Sequence, residues 1–205
     1  MKPEFPAVKV EGQGQIFENP VLESLTKTNP WITAFTYLGT SAILIVYGFQ
    51  YNHLDITKAL GLFISGLFFW TFFEYVTHRF VFHYVNERKW VQKFHYAMHG
   101  VHHEYPKDRE RIFMPPVPGL LITSLLFGIF YLIMGAWVFA FLPGLLVGYY
   151  LYSFIHWSVH KNKPPKWLKP QWRHHSLHHY KYTELAFGVT TRFWDRVFGT
   201  MPPEK

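Results

Sequence analysis

The sequence predicts an all-α protein embedded in a membrane, with four transmembrane helices and a helical cap on one side. Three observations point to this fold class. Long segments carry no formal charge, the basic residues collect between those segments, and 20% of the 205 residues are aromatic. The length fits one domain and leaves little room for a second.

Uncharged runs define the four predicted spans. Residues 28–54 and 59–73 carry no formal charge, and neither do the 49 residues of 112–160. Because one helix needs roughly 20 residues to cross a bilayer, the last run must hold two spans. We place the turn between them at Gly135, with Pro143-Gly144 as the alternative. The predicted spans are about 31–50, 57–83, 118–134 and 137–160.

The basic residues predict the orientation. Three Lys or Arg lie in residues 1–30, seven in 79–115 and nine in 161–205, whereas the link between the first two spans holds only Lys58. With four spans, nineteen of the twenty fall on one side, and the positive-inside rule makes that side the cytoplasm. These residues would face anionic headgroups, so we expect no nucleic-acid partner. The predicted parts are a peripheral segment over 1–30 and a membrane domain over 31–205, whose cytoplasmic cap comprises 84–115 and 161–205.

Histidines supply the clearest chemical signal. The chain has thirteen of them and no cysteine, so a metal must be held by imidazole, carboxylate or backbone oxygen. Residues three or four apart share a helix face; His78 and His83, five apart, either reach around one centre or serve two metals. Ten imidazoles exceed the capacity of one metal, which predicts two metal ions with about five ligands each. The ten candidates form four groups: His78 and His83; His99, His102 and His103; His156 and His160; His175, His178 and His179.

Other polar residues surround these groups. His53 lies in the opposite link and is expected to be structural, whereas His95 and His174 are either partners of the ligands or surface residues. Glu74 lies four residues before His78, and we expect it to hold the ring N–H of a ligating histidine. The alternative is pairing with the neighbouring arginine or with headgroups.

A tyrosine-rich run precedes His156. Tyr149, Tyr152 and Ser153 either line a substrate path or pack in the core. Residues 192–199 form an aromatic amphipathic segment, predicted to be an interfacial helix under the metal site, with a structural role for its polar residues.

Several stretches of the chain, three of which contain histidine groups, carry further information. These stretches are 73–83, 94–103, 114–116, 175–181, 184–190 and 193–200. In them the chain resembles the fatty acid hydroxylase superfamily, which also includes sterol desaturases and carotenoid hydroxylases. The runs Glu-Leu-Ala-Phe-Gly-Val-Thr and Trp-Asp-Arg-Val-Phe-Gly-Thr make the chain most similar to the membrane fatty acid 2-hydroxylases.

The resemblance implies a four-span fold whose ten histidines hold two metal ions, with iron expected for activity and zinc possible in purified protein. It implies insertion of one oxygen atom from dioxygen at C2 of a long-chain fatty acyl group, free or in a sphingolipid-like lipid. His156, His160 and Tyr152 are the expected catalytic residues. Residues 1–30 are too short for the cytochrome domain that many relatives carry, so a separate cytochrome- or ferredoxin-type electron donor is expected.

Two other functions remain open. The same scaffold could hydroxylate sterols or carotenoids, or desaturate a lipid. A non-catalytic zinc-binding membrane protein is more remote, because transporters place ligands near the bilayer midplane and these groups lie at one face. We expect an integral membrane protein with its metal site on the cytoplasmic face, in a bacterial inner membrane rather than in the endoplasmic reticulum.

Overall fold

The computed structural model describes residues 7–161, 163 and 165–203. Residues 1–6 of the predicted peripheral segment, and 162, 164, 204 and 205 of the predicted cap, lie outside this part. Within it the chain is helical and has no β-strand, which confirms the all-α class. The α-helices there are α1 (Pro20–Ser24), α2 (Pro30–Asn52), α3 (Ile56–Thr77), α4 (Lys89–His95), α5 (Val101–Glu104), α6 (Pro116–Met134), α7 (Val138–Val159), α8 (Lys169–Tyr180) and α9 (Phe193–Val197).

Local capping residues fix the ends of the first two long helices. The Asn29 side chain accepts hydrogen bonds from two backbone N–H groups at the start of α2, and Pro30 occupies the first helical position. His53 ends α2 with a left-handed φ of 48°, and Asp55 caps α3 by accepting from Lys58 N. His53 therefore helps to form the tight link, in agreement with its expected structural role.

A short turn separates α6 from α7. Gly135 adopts a φ of 58° and begins a 3-10 turn over Gly135–Trp137, as a residue without Cβ readily can. The turn predicted at Gly135 is confirmed. The alternative at Pro143-Gly144 is wrong, because Pro143 lies inside α7.

Three stretches of the described chain are long and apolar enough to cross a membrane: Pro30–Asn52, Ile56–Phe82 and Arg109–Val159. The third contains both α6 and α7. Large apolar side chains point outward from these helices; Phe35 and Leu132 expose 85% and 88% of their surface. Such exposure is costly in water and suits contact with lipid.

Helix α7 packs between α2 and α3, and two glycines allow close contact with α3. A Cβ atom at Gly66 would lie 2.1 Å from Phe141 O, and one at Gly144 would lie 2.0 Å from Phe63 O. Small residues let membrane helices approach until their backbones touch. This contact sets the relative position of the two helices that carry His78 and His156.

Gly66→Ala is therefore expected to destabilise the protein, because overpacking a close contact costs about 1–3 kcal/mol or more. Gly61→Ala is the matched control on α3, since a Cβ atom there meets no heavy atom within 4 Å. The thermal midpoint in detergent should fall for the Gly66 variant only. Equal midpoints for the two variants would contradict the close contact.

The N-terminal segment packs on the loop after α5. The Lys9 ammonium forms an ion pair with Glu104 at 2.6 Å, and Gly14 N donates to Asp108 Oδ2 at 3.1 Å. Arg111 forms ion pairs with Glu23 and Asp108. The predicted peripheral segment thus lies against the region that follows His103.

Candidate metal centre

All ten histidines predicted as metal ligands meet in two groups of five. In each group, one candidate ligand atom from every residue lies within 4.8 Å of the other four. We name them the first cluster and the second cluster. The first cluster contains His78, His83, His99, His103 and His178, and the second contains His102, His156, His160, His175 and His179.

A π-helical segment explains how His78 and His83 reach the same cluster. The helix widens over His78–Phe82, and His83 N donates to His78 O at 3.2 Å. Hydrogen bonds in a π-helix join residues five apart, which brings those residues onto one face. Of the two arrangements left open by the sequence, the structure matches the one in which both histidines lie around one point, because both belong to the first cluster.

Each His-x-x-His-His group divides between the clusters. His99 and His103 belong to the first cluster and His102 to the second, whereas in α8 His175 and His179 belong to the second and His178 to the first. Residues four apart lie nearly in line along a helix, and the intervening one points to a different side. The two clusters are therefore neighbours; the His103 and His179 rings stack at a centroid distance of 4.3 Å.

The ring nitrogens converge at a spacing that suits metal ligands. His99 Nε2 lies 2.9 Å from His78 Nε2 and 3.0 Å from His103 Nε2. In the second cluster, His175 Nε2 lies 2.9 Å from His160 Nε2 and 3.0 Å from His179 Nε2. Two imidazole nitrogens bound at right angles, at roughly 2.0–2.1 Å from a metal, lie about 2.9 Å apart. His99 Nε2 and His175 Nε2 each lie close to two other ring nitrogens, and a single N–H group cannot donate well to both. A cation shared by the three nitrogens explains this arrangement better than hydrogen bonds between the rings.

The environment keeps these imidazoles neutral, which is the form that binds metals. Burial, followed by the charges of neighbouring histidines, lowers the pKa of His102 and of His179 well below the usual value. At neutral pH these rings carry no charge, and each offers a lone pair.

Backbone carbonyls fix the tautomers of two rings in the first cluster. His78 Nδ1 donates to Phe187 O, and His178 Nδ1 donates to Leu185 O at 2.7 Å. A carbonyl can only accept, so the proton lies on Nδ1 and the lone pair on Nε2. Hydrogen bonds of this kind orient metal-binding histidines.

The second cluster contains buried nitrogens without such partners. Both ring nitrogens of His102 and of His156 lack a hydrogen-bond partner among the described residues. Buried polar atoms nearly always have a partner. Together with the convergence of the rings, this observation fits a metal ion in each cluster, and imidazole suits iron and zinc alike.

Glu74 has different partners from those expected. Its carboxylate accepts from Val189 N at 2.6 Å and Thr190 N at 2.9 Å, and from the Thr190 hydroxyl. Side chains on a helix tilt toward its N-terminus. Glu74 lies one turn before His78, and its carboxylate therefore reaches Val189 and Thr190 rather than the imidazole ring. The predicted hydrogen bond to a histidine ring is corrected accordingly: Glu74 holds the segment whose Phe187 carbonyl binds His78.

The two histidines with undecided roles lie outside the clusters. His95 Nδ1 donates to Phe82 O at 2.7 Å, and His174 Nε2 contacts Asp195 Oδ2 at 3.0 Å. Both are buried, so neither is a surface residue. Asp195, for which a structural role was expected, lies in α9, is fully buried, and accepts hydrogen bonds from Phe187 N and Gly188 N.

Some residues of the tyrosine-rich run pack in the core, and one lies beside the second cluster. Tyr149 packs between Tyr37 and Trp70, and its hydroxyl accepts from Met114 N at 2.9 Å. Ser153 is fully buried. Tyr152 is half-buried, and its ring centroid lies 5.5 Å from that of His156, which places it beside the second cluster.

A polar cavity of about 220 Å³ adjoins the second cluster. His160, His175 and His179 form one wall, and Lys107 and Lys161 contribute cationic groups to the lining. Lys107 is exposed, so the cavity reaches the protein surface. The second cluster is therefore approachable from the side that carries the basic residues.

Comparison with known proteins identifies the family. The fatty acid hydroxylase family model matches residues 63–200. The chain is 36% identical to the ceramide very long chain fatty acid hydroxylase of Saccharomyces cerevisiae, over 93% of this chain and 50% of the relative. It is 32% identical to the dihydroceramide fatty acyl 2-hydroxylase of Arabidopsis thaliana, over 96% of this chain and 83% of the relative. It is 39% identical to the fatty acid 2-hydroxylase of Mus musculus, over 71% and 41%.

A solved structure has the same fold. Full-length scs7p, in which only the hydroxylase domain is visible, matches with a TM-score of 0.85 and 33% identity, over 94% of this chain and 74% of that chain. The chain spans about half the length of the yeast relative. The family match covers both histidine clusters and the segment that contacts them. This chain therefore belongs to the fatty acid hydroxylase family.

Proposed function

We propose that this chain is a dioxygen-dependent hydroxylase that acts at C2 of a long-chain fatty acyl group, free or within a sphingolipid-like lipid. The observation that carries the proposal is the pair of five-histidine clusters on a helical scaffold with candidate membrane spans. The names of two relatives support the acyl substrate and the hydroxylated carbon. The yeast relative is a ceramide very long chain fatty acid hydroxylase, and the Arabidopsis thaliana relative is a dihydroceramide fatty acyl 2-hydroxylase.

The ten clustered histidines would be the ligands of two metal ions, iron in the active enzyme and zinc as a possible substitute. When bound, the metal ions would supply the activation of dioxygen. The reaction would convert one acyl chain, one dioxygen, two electrons and two protons into one hydroxylated acyl chain and one water; one oxygen atom enters the C2–H bond and the other leaves as water. The protein would hold the imidazoles in their neutral form and exclude bulk water from the first cluster.

We assign the electrons to a separate cytochrome- or ferredoxin-type protein. Lys107 and Lys161 line the cavity beside the second cluster, and a basic surface favours encounter with an acidic partner. This location supports electron entry from the side that carries the basic residues.

The acyl chain would approach the second cluster past Tyr152. Its ring lies next to His156 and is half-buried, so it is placed to contact a substrate near the reacting position. In this proposal Tyr149 and Ser153 do not contact the substrate directly, because both are buried in the core; they support the residues that line its path.

We also propose four membrane crossings with the clusters on the cytoplasmic side of a bacterial inner membrane. The third candidate span has 51 residues, and one crossing needs roughly 20, which supports separate crossings by α6 and α7. The excess of Lys and Arg in residues 79–115 and 161–205 supports the cytoplasmic side.

A lipid mass spectrum tests the function. Cells that express this chain with an electron donor, supplied with dioxygen labelled with the heavy isotope, should accumulate labelled 2-hydroxy acyl chains. Cells with the empty vector are the control. Lipids that have lost two hydrogens, or labelled sterols or carotenoids without labelled acyl chains, would overturn the substrate and reaction proposed here. The lipid class that carries the label would identify the acyl donor.

A further inference from the structure

The protein holds the two clusters in different ways. In the first cluster, two rings are bound to backbone carbonyls of one segment, residues 185–190, through His78 Nδ1 and His178 Nδ1. Among the described residues, no hydrogen bond joins this segment to a ring of the second cluster. A residue that holds residues 185–190 in place therefore also orients the His78 and His178 rings of the first cluster.

Asp195 binds this segment from behind. Its Oδ1 accepts from Phe187 N at 2.9 Å, and its Oδ2 accepts from Gly188 N at 2.8 Å. Oδ1 also accepts from the Thr200 hydroxyl at 2.7 Å, and Oδ2 contacts His174 Nε2 at 3.0 Å. A fully buried carboxylate with four donors is a strong, directional anchor.

These donors keep Asp195 ionised. Burial raises the pKa of the Asp195 carboxyl, but the hydrogen bonds from His174, Thr200 and Gly188 outweigh this effect, and the pKa is lowered overall. The carboxylate therefore presents acceptors on both oxygens at neutral pH.

The backbone of the segment is shaped around the carboxylate. Ala186 has a left-handed φ of 62°, a conformation that costs a residue with a Cβ atom on the order of 1 kcal/mol and persists only where the surroundings impose it. Its N–H donates to Thr200 O at 2.8 Å. A Cβ atom at Gly188 would lie 2.8 Å from Asp195 Oδ2, so only glycine permits this approach.

We propose that Asp195 is a positioning residue for the first cluster. It fixes the carbonyls of Leu185 and Phe187, and through them the orientation and tautomer of His78 and His178. Glu74 supports the far end of the same segment through Val189 N and Thr190 N. The inference rests on the proposed ligand set and adds a difference between the two sites. The first depends on the carbonyls that this anchor fixes, whereas the second is linked to the anchor only through the contact of His174 with Asp195.

The chemistry of an amide predicts graded effects. Both Asp195 oxygens accept from backbone N–H groups, so in Asp195→Asn the amide NH₂ faces a donor whichever way it turns. In Glu74→Gln, the amide oxygen can serve both backbone N–H groups while the NH₂ faces the Thr190 hydroxyl, which can act as acceptor. Asp195→Asn should therefore have the larger effect.

Zinc binding to the purified full chain in detergent tests the inference, independently of activity. Two backgrounds isolate the sites: His156→Ala with His160→Ala leaves the first cluster, and His99→Ala with His103→Ala leaves the second. In the former, Asp195→Asn should weaken zinc binding about 10–100-fold, the usual effect of losing a group that orients a ligand. In the latter, the effect on zinc affinity should be much smaller, because Asp195 reaches the second cluster only through its contact with His174 on α8.

One variant serves as a control. Asp108→Asn alters another buried carboxylate, which accepts from Gly14 N at 3.1 Å, and the first cluster of this variant should bind zinc normally.

The possible failures are distinguishable. Equal weakening at both clusters, or no weakening at the first, would overturn the role of Asp195 and leave the proposed function standing. If the unaltered chain binds fewer than two zinc ions, the proposed ligand set fails, and the role of Asp195 fails with it.

Discussion

Replacement of both His156 and His160 by alanine is expected to reduce the bound metal from two ions to one and to abolish the hydroxylated product. The second cluster would retain only three of its five imidazoles. Both residues lie at the end of α7, with ring centroids 4.9 Å apart, so the change removes adjacent ligands while the apolar body of the helix stays intact. Membrane insertion should therefore be normal.

The measurement pairs the metal content per chain with the yield of 2-hydroxy acyl lipid. His53→Asn is the matched control, because His53 lies outside both clusters and asparagine tolerates the left-handed conformation found there. The control should keep two metal ions and full activity. A double-alanine variant that still forms product would exclude the second cluster from the reaction.

Removal of both metals with a chelator is expected to lower the thermal midpoint by about 10–30 °C. Each ion, present at 100–1,000 times its dissociation constant, stabilises the folded state by about 2.7–4.1 kcal/mol, so two ions contribute about 5–8 kcal/mol. Each kcal/mol corresponds to roughly 2–4 °C for a chain of this size. Without metal, buried nitrogens such as those of His102 and His156 lose the partner that offsets their desolvation.

Addition of zinc should restore the original midpoint, whereas magnesium should not, because magnesium prefers oxygen ligands. Metal analysis before and after chelation verifies that the ions were removed and rebound. An unchanged midpoint in verified metal-free protein would mean that packing alone holds the clusters together.

The coarse fold was predictable because its signals are local in the sequence. Uncharged runs gave the positions of α2, α3, α6 and α7, and the turn at Gly135 follows from a residue that readily adopts positive φ. The number of membrane crossings is a different matter. It depends on the orientation of helices in a bilayer, and it stays a prediction.

The sequence predicted the number of histidine clusters but not which histidines belong to each cluster. The ligand count of ten imidazoles predicted two metals, yet the sequence left two arrangements open for His78 and His83. The π-helical segment that unites them has no recognisable sequence signal, because it arises where packing forces an extra residue into the helix.

The roles of Glu74 and Asp195 could not be derived from spacing. Each carboxylate binds backbone N–H groups of residues 187–190, and for Glu74 these lie more than a hundred residues away in sequence. Helical periodicity says which residues share a face but not which distant loop packs against it. For Asp195, one available sign was the Phe-Trp-Asp-Arg-Val-Phe run, in which Asp195 and Arg196 lie among aromatic and apolar residues.

The anchoring of residues 185–190 also has a consequence for biosynthesis. A ribosome delivers the chain from its N-terminus, so the apolar helices that carry His78 and His156 are made before His178 and the carbonyls of Leu185 and Phe187. The first cluster lacks one ligand and both orienting carbonyls until this late segment has emerged and folded back. We therefore expect metal capture at the first cluster to follow the synthesis of residues 185–190, after the long apolar helices have formed.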